Sequence, residues 1–305
     1  MARPLRIEYE GAFYHITARG NEKRVIFHDR EDREKFFSYL EETESRYGSL
    51  IHMYCLMDNH YHLLIETPLG NISRVMQYIN SSYTTYFNSK YRRIGHLFQG
   101  RYKSILVEKD AYASELSRYI HLNPVRGGLV ERPEDYKWSS YRYYIGRGKQ
   151  PKFLKVEMIL SDFGRDKRKA KRRYKEYVEE GLKRQIENPL REVVASTVLG
   201  GKDFLKWVKE RFIETREEAR DLPAVRELKG EIGIDVIRGK VEEILGQTSE
   251  SRKIGIYLSR KLGGRTLKEI AEEYGGISES GVSQIYRRME QERKKNRNVD
   301  RKIKA

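Results

Sequence analysis

The chain has 305 residues, enough for two domains with real cores, and it sets 61 lysines and arginines against 45 acids for a formal charge of +16. A basic excess of that size points to a polyanionic partner, nucleic acid first. Cys55 is the single cysteine, which excludes an internal disulfide and a cysteine zinc cage. No apolar run reaches membrane-spanning length and MARPLRIEYEG lacks the apolar core of a secretory signal, so the expectation is a cytoplasmic protein with no membrane partner.

In chain order, GAFYHITARG predicts a first strand that turns at Gly20 and Asn21. Residues 30–48 predict a helix with Phe37, Leu40 and Tyr47 on one stripe and Gly48 as its stop. The apolar run from Ile51 to Glu66, interrupted by Asp58 and Asn59, predicts two strands joined by a tight turn. A helix capped by Asn71 follows, with Val75, Tyr78, Ile79 and Tyr86 at helical spacings. RYKSILVEK predicts another strand, and DAYASELSRYIHLNP a helix capped by Asp110 and ended or kinked at Pro124. The order β-α-β-β-α-β-α is that of a ferredoxin-like sandwich with one added helix, an α+β fold.

The expected domain covers residues 1–147, closed by the aromatic stretch Trp138 to Tyr144. Residues 148–233 are expected to be a basic helical connector, in which Ala170, Tyr174, Val178 and Leu182 form a narrow apolar stripe. Residues 234–297 predict a separate all-α unit, and 298–305 a basic tail. In that unit Leu258, Leu262, Leu267, Ile270, Ala271, Val282, Ile285 and Met289 supply a core for three short helices. Thr266 is the expected cap of the second helix, Gly275 and Gly276 the turn, and the third helix begins near Ser280. That is a helix-turn-helix, offering Ser280, Ser283, Gln284, Arg287 and Arg288 to the major groove of duplex DNA. A plain helical interaction module is the other reading.

Two features of the first domain carry chemistry. MDNHYHLLI puts His60 and His62 on one face of a strand, about 7 Å apart along it. Such a pair can grip an ion or a phosphate, or can be a half-buried strand with polar residues facing solvent. In SRYIHLNPVRGGLV, Tyr119 and Asn123 are four apart and so neighbours on a helix. A tyrosine hydroxyl can attack phosphorus, and a divalent ion helps by polarising the phosphate. His60, His62 and the amide oxygen of Asn123 would give that ion a mixed N/O shell suited to Mg²⁺ or Mn²⁺. Tyr112 is the competing nucleophile, and His121, nearly opposite Tyr119, reads as structural.

Between Glu66 and Glu108 lie 41 positions without an acid. They hold Arg74, Lys90, Arg92, Arg93, Arg101 and Lys103 among Tyr78, Tyr83, Tyr86, Phe87, Tyr91, Phe98 and Tyr102. Cations for phosphates and rings for bases suit a single strand, although about half of the rings are expected to be core.

The histidine pair in MDNHYHLLI, with YIHLNPVRGGLV some sixty residues later, resembles the single-tyrosine HUH transposases, and within them the REP-associated tyrosine transposases. ARPLRIEYEGAFYHITARGN and GHLFQGRYKS fit the same group, over roughly residues 1–146. The resemblance implies a central sheet carrying His60 and His62 as metal ligands and a helix presenting Tyr119 as nucleophile and Asn123 as third ligand. It implies cleavage of single-stranded hairpin DNA with Tyr119 joined to the 5′ phosphate, followed by strand transfer, by a monomer or a homodimer. Asp58 stands where many relatives have proline, and Tyr61 replaces a small aliphatic between the histidines; neither removes a ligand. The C-terminal YGGISESGV and SRKIGIYLSRKL resemble the DNA-binding domain of the replication initiator DnaA, with ISESG where the initiator carries its base-reading residues. Two rival functions are a transcriptional or replication regulator that keeps the first domain only for binding, and an RNA-binding module. Pure binding needs none of His60, His62, Tyr119 and Asn123.

Overall fold

The computed structural model describes residues 6–183, 188–213, 233–261 and 267–304. It divides into two compact units, one of Arg6–Phe204 and one that includes Leu205–Ala305.

The first unit is built on a sheet of β1 (Ala12–Arg19), β2 (Leu50–Leu56), β3 (His60–Thr67), β4 (Lys103–Val107) and β5 (Val198–Leu199), in the order β2-β3-β1-β4-β5. The first four strands pair antiparallel in the ferredoxin-like order expected from the sequence. β5 was not foreseen: it pairs parallel to β4, with Leu106 opposite Val198 and Val107 opposite Leu199. Helix α1 (Arg30–Tyr47) starts in a capping box between Asp29 and Asp32 and stops at Gly48, whose φ of 65° suits a residue without Cβ. Helix α2 (Ile72–Lys90) buries Ile72, Val75, Met76, Ile79, Tyr83 and Phe87 at three- and four-residue spacings. Each of those large side chains contributes roughly 1.5–3 kcal/mol by leaving water.

Helix α3 (Lys109–Arg126) begins at an N-cap Glu108, two residues earlier than expected, so Asp110 lies inside the first turn. Pro124 sits within the helix, which runs on to Arg126 before Gly127. Strand alternation sends neighbours on β3 to opposite sides. Tyr61 packs on Phe36 of α1 and bonds Asn80 of α2, while His62 meets Tyr119 of α3.

The first unit runs past residue 147. After α4 (Tyr141–Tyr144) and α5 (Glu157–Ser161), helix α6 (Lys167–Lys183) buries Ala170, Tyr174 and Val178 and packs on α3. The Tyr174 hydroxyl lies 2.9 Å from the Ser117 hydroxyl and 2.7 Å from Nδ1 of His121, whose Nε2 is 2.8 Å from the Ser140 hydroxyl. His121 is therefore fully enclosed by hydrogen-bond partners, in line with a structural role. A seventh helix, α7 (Lys202–Val208), spans the boundary between the units, and residues 214–232 of the expected connector lie outside the described residues.

The second unit holds α8 (Ile234–Leu245), α9 (Ser249–Lys261), α10 (Leu267–Tyr274), α11 (Glu279–Lys295) and α12 (Arg297–Lys304). Ile256, Ile270, Tyr274 and Val282 form one apolar cluster, and Ile237, Val241, Ile254, Tyr257 and Met289 another. Gly275 and Gly276 turn the chain at φ of 58° and 62°, and Ser278 caps α11 by accepting from the Gly281 N–H. Leu262 and Thr266 lie outside the described residues. The expected basic tail forms α12, which packs Val299 and Ile303 on the second cluster.

Candidate active site

On β3, His60 lies opposite Arg19 and His62 opposite Thr17 of β1. The two imidazoles share a face, with ring centroids 5.1 Å apart and planes at 76°. The turn ahead of them is tied down twice. Asp58 pairs with the buried guanidinium of Arg33, and its carbonyl accepts from the backbone N–H groups of Ile26 at 2.8 Å and Phe27 at 3.1 Å. Asn59 donates its amide N–H to the Lys23 carbonyl at 3.1 Å, which turns its amide oxygen to Nδ1 of His60 at 2.7 Å. His60 therefore carries its proton on Nδ1 and a lone pair on Nε2.

Nδ1 of His62 is 3.0 Å from Nε2 of His15, a β1 residue, and the two rings stack at 5.2 Å with planes 5° apart. Burial holds His60 down to about 4, with help from the charge of Arg19, and holds His15 down to about 3. Burial, then the neighbouring His15 and His60, keep His62 well below the usual imidazole range. All three rings are neutral at neutral pH, the state a metal ligand requires.

Helix α3 brings the second half of the site. The Tyr119 ring is edge-on to His62, with centroids 6.4 Å apart and planes at 83°. One turn on, the Nδ2 atom of Asn123 is buried and has no hydrogen-bond partner among the described residues. Two turns on, the Arg126 guanidinium sits 5.0 Å from the centre of the Tyr119 ring. Tyr112 is placed differently: its hydroxyl donates to Glu192 at 2.8 Å, and that bond, then burial, push its pKa up to about 12.

The donor set fits a hard divalent cation. Nδ1 of His60 is engaged by Asn59, which leaves its Nε2 for a ligand. Nδ1 of His62 meets Nε2 of His15 in a bond that either ring can donate. The unmatched buried atom of Asn123 is its amide nitrogen, so its oxygen is the atom that could ligate. No cluster of three or more His, Cys, Asp or Glu side chains suited to a metal exists among the described residues, so a cation here would draw on an amide oxygen. Sequence reasoning missed His15 and Arg126. The tyrosine–arginine spacing of seven was a usable signal for Arg126; His15 needed the strand register.

The expected nucleic-acid surface comes out reduced. Tyr83, Phe87, Phe98 and Tyr102 are core, because α2 packs against α1 and β4 lies inside the sheet. Tyr78 bonds Glu42, and Tyr86 and Tyr91 bond Asp32. Lys90 is spent on carboxylates, 2.8 Å from Asp29, 3.0 Å from Glu31 and 2.9 Å from Asp32. Those acids stand at the start of α1, outside the acid-free stretch. Arg74, Arg92, Arg101 and Lys103 are exposed, and Arg93 lies partly exposed over the Phe87 ring. Arg101 lines, with Arg6, Gln77, Asn80, Thr84 and His96, a groove of about 560 Å³ with no acid in its wall. In the second unit Ser280, Gln284, Arg287 and Arg288 are exposed on α11 and Ser283 is half-buried, while Val282 and Met289 face the core.

Residues 8–123 match the family described as "Transposase IS200 like". A REP-associated tyrosine transposase of Haemophilus influenzae is 29% identical over 155 residues, which is 44% of this chain and 82% of the relative. The solved structure of a REP-associated tyrosine transposase bound to a REP hairpin matches at 17% identity and a TM-score of 0.43, over 51% of this chain and 93% of that one. His60, His62, Tyr119 and Asn123 all fall within the residues that match the IS200-like transposase family.

Proposed function

We propose that this protein is a metal-dependent transposase that nicks single-stranded hairpin DNA through Tyr119 and rejoins strands, with its C-terminal unit holding duplex DNA. The observation that carries the reading is the meeting of His62 with Tyr119 at 6.4 Å between ring centres, beside a second neutral imidazole at His60. The Tyr119 oxygen attacks a backbone phosphorus and forms an ester with the 5′ phosphate. The bond to the 3′ oxygen breaks, and that oxygen leaves as a hydroxyl. A new 3′ hydroxyl reverses the step and frees the tyrosine, so no nucleotide is hydrolysed. Arg126 lies over the Tyr119 ring, and His60, His62 and Asn123 would hold the ion. Mg²⁺ or Mn²⁺ held there would polarise the phosphate and stabilise the departing oxygen.

The 29% identity to a REP-associated tyrosine transposase supports the transposase reading. Exposed Ser280, Gln284, Arg287 and Arg288 on a helix after a Gly-Gly turn support duplex binding by a helix-turn-helix. The RNA-binding reading is weakened because Tyr83, Phe87, Phe98 and Tyr102 are core and cannot stack on bases. The test is incubation with end-labelled single-stranded hairpin DNA and Mn²⁺, then denaturing electrophoresis. A protein–DNA adduct that persists in denaturant is expected; binding without an adduct would reduce the protein to a regulator.

A further inference from the structure

His60 and His62 are held from behind by different chemistry. Behind His60 stands the amide oxygen of Asn59, fixed in that orientation because its nitrogen donates to Lys23. An oxygen can only accept, so the His60 tautomer is settled. Behind His62 stands another imidazole, Nε2 of His15 at 3.0 Å. An imidazole nitrogen can accept or donate, and the two choices have opposite consequences.

If His15 donates, His62 accepts at Nδ1, must carry its own proton on Nε2, and has no lone pair left to offer a cation. If His15 accepts, His62 keeps its proton on Nδ1 and presents Nε2 as a ligand. In the second case His15 carries its own proton on Nδ1, the atom that is buried without a partner among the described residues. His15 is 1% exposed, and its register on β1, opposite Leu64 with Thr17 opposite His62, makes it the diagonal neighbour of His62 on the same sheet face.

We propose that His15 is a positioning residue for the metal site: its Nε2 accepts the Nδ1 proton of His62 and so fixes the tautomer in which His62 can bind a cation. The proposal rests on the metal reading above. Partners of this kind, standing behind a ligating imidazole, change metal affinity by roughly 10- to 100-fold when removed.

Two substitutions separate this role from filling space. His15→Gln keeps an acceptor near the position of Nε2, whereas His15→Leu keeps apolar volume and loses the acceptor. Mn²⁺ is titrated into the full-length protein and its variants, and the free ion is read by electron paramagnetic resonance. Binding to the wild-type protein, weakened by roughly tenfold or more in His15→Leu and largely restored in His15→Gln, supports the proposal. A structural role would give the reverse order, since leucine fills a buried apolar site better than glutamine. Equal binding by wild type and His15→Leu, or Leu at or above Gln, overturns the role of His15 and leaves the metal reading intact. No Mn²⁺ binding by the wild-type protein overturns both.

Should His15→Leu fail to fold, the wild-type protein still decides. With ¹⁵N-labelled histidine and saturating Mg²⁺, His62 is expected to show a protonated Nδ1 and a bare Nε2. A proton on Nε2 of His62 under those conditions overturns the proposal.

Discussion

The ring of His62 stands nearly perpendicular to that of Tyr119, their centres 6.4 Å apart, although one belongs to β3 and the other to α3. Strand pairing fixes the first and helix packing the second, so a candidate nucleophile and a candidate metal ligand meet on rigid elements rather than on loops. That arrangement holds a reacting group near its productive geometry at low entropic cost.

Replacing either imidazole should therefore disable chemistry without dissolving the fold. His60→Ala and His62→Ala are each expected to lower the cleavage rate by at least roughly 100-fold, and excess chelator should do the same to the wild-type protein. Single-turnover cleavage of a labelled hairpin measures this. Full cleavage in chelator would remove the metal from the account.

Lys90 should behave as a structural residue. It neutralises Asp29, Glu31 and the fully buried Asp32, and in turn it holds the pKa of Asp29 below the usual carboxylate range. Lys90→Ala is expected to cost about 1–3 kcal/mol in urea unfolding by taking the ammonium away from the buried Asp32 carboxylate, which keeps its bonds from Tyr86 and Tyr91. Affinity for single-stranded DNA, measured per folded protein, should not change. Arg101→Ala should give the opposite pattern, weaker binding at unchanged stability.

His121 supplies a pH signature. Burial lowers its folded pKa from 6.5 to about 3, so between those values the unfolded chain binds more protons than the folded one. Its contribution to stability is complete above about pH 6.5 and is lost as the pH falls toward 3, by about 1.4 kcal/mol per unit. His121→Gln should flatten the fall of the unfolding free energy between pH 6.5 and 4.5 by about 2–3 kcal/mol. Parallel curves for the two proteins would contradict this.

The second unit should carry the duplex affinity. Arg287→Ala and Arg288→Ala are each expected to weaken binding to duplex DNA and to reduce its salt slope by about one, while leaving adduct formation on a minimal hairpin unchanged. Filter binding at several salt concentrations reads both quantities. Unaltered slopes would point to another face of the unit.

Period-two alternation was enough to read His60 and His62 as sharing a face, and a four-residue helical step was enough to join Tyr119 to Asn123. The order of the first seven elements was legible because each has its own hydrophobic period and its own breaker. What sequence could not show is set by distant register. His15 becomes the neighbour of His62 only because Thr17 pairs with His62. Lys90 loses its apparent freedom to acids some sixty positions earlier. β5 is two residues long and gains its pairing from β4, about ninety residues away, so no local pattern announces it.

The central claim is that the Tyr119 hydroxyl becomes the ester oxygen of a 5′-phosphotyrosine. The most direct measurement is to trap the adduct on single-stranded hairpin DNA with Mn²⁺, digest it with protease and nuclease, and locate the nucleotide by mass spectrometry. The account predicts the modification on the peptide containing Tyr119. It also predicts loss of the adduct in Tyr119→Phe by a factor on the order of 10³ or more, with single-strand binding retained and Tyr112→Phe unaffected. A phosphotyrosine at Tyr112 or any other residue, or an undiminished adduct in Tyr119→Phe, would contradict it.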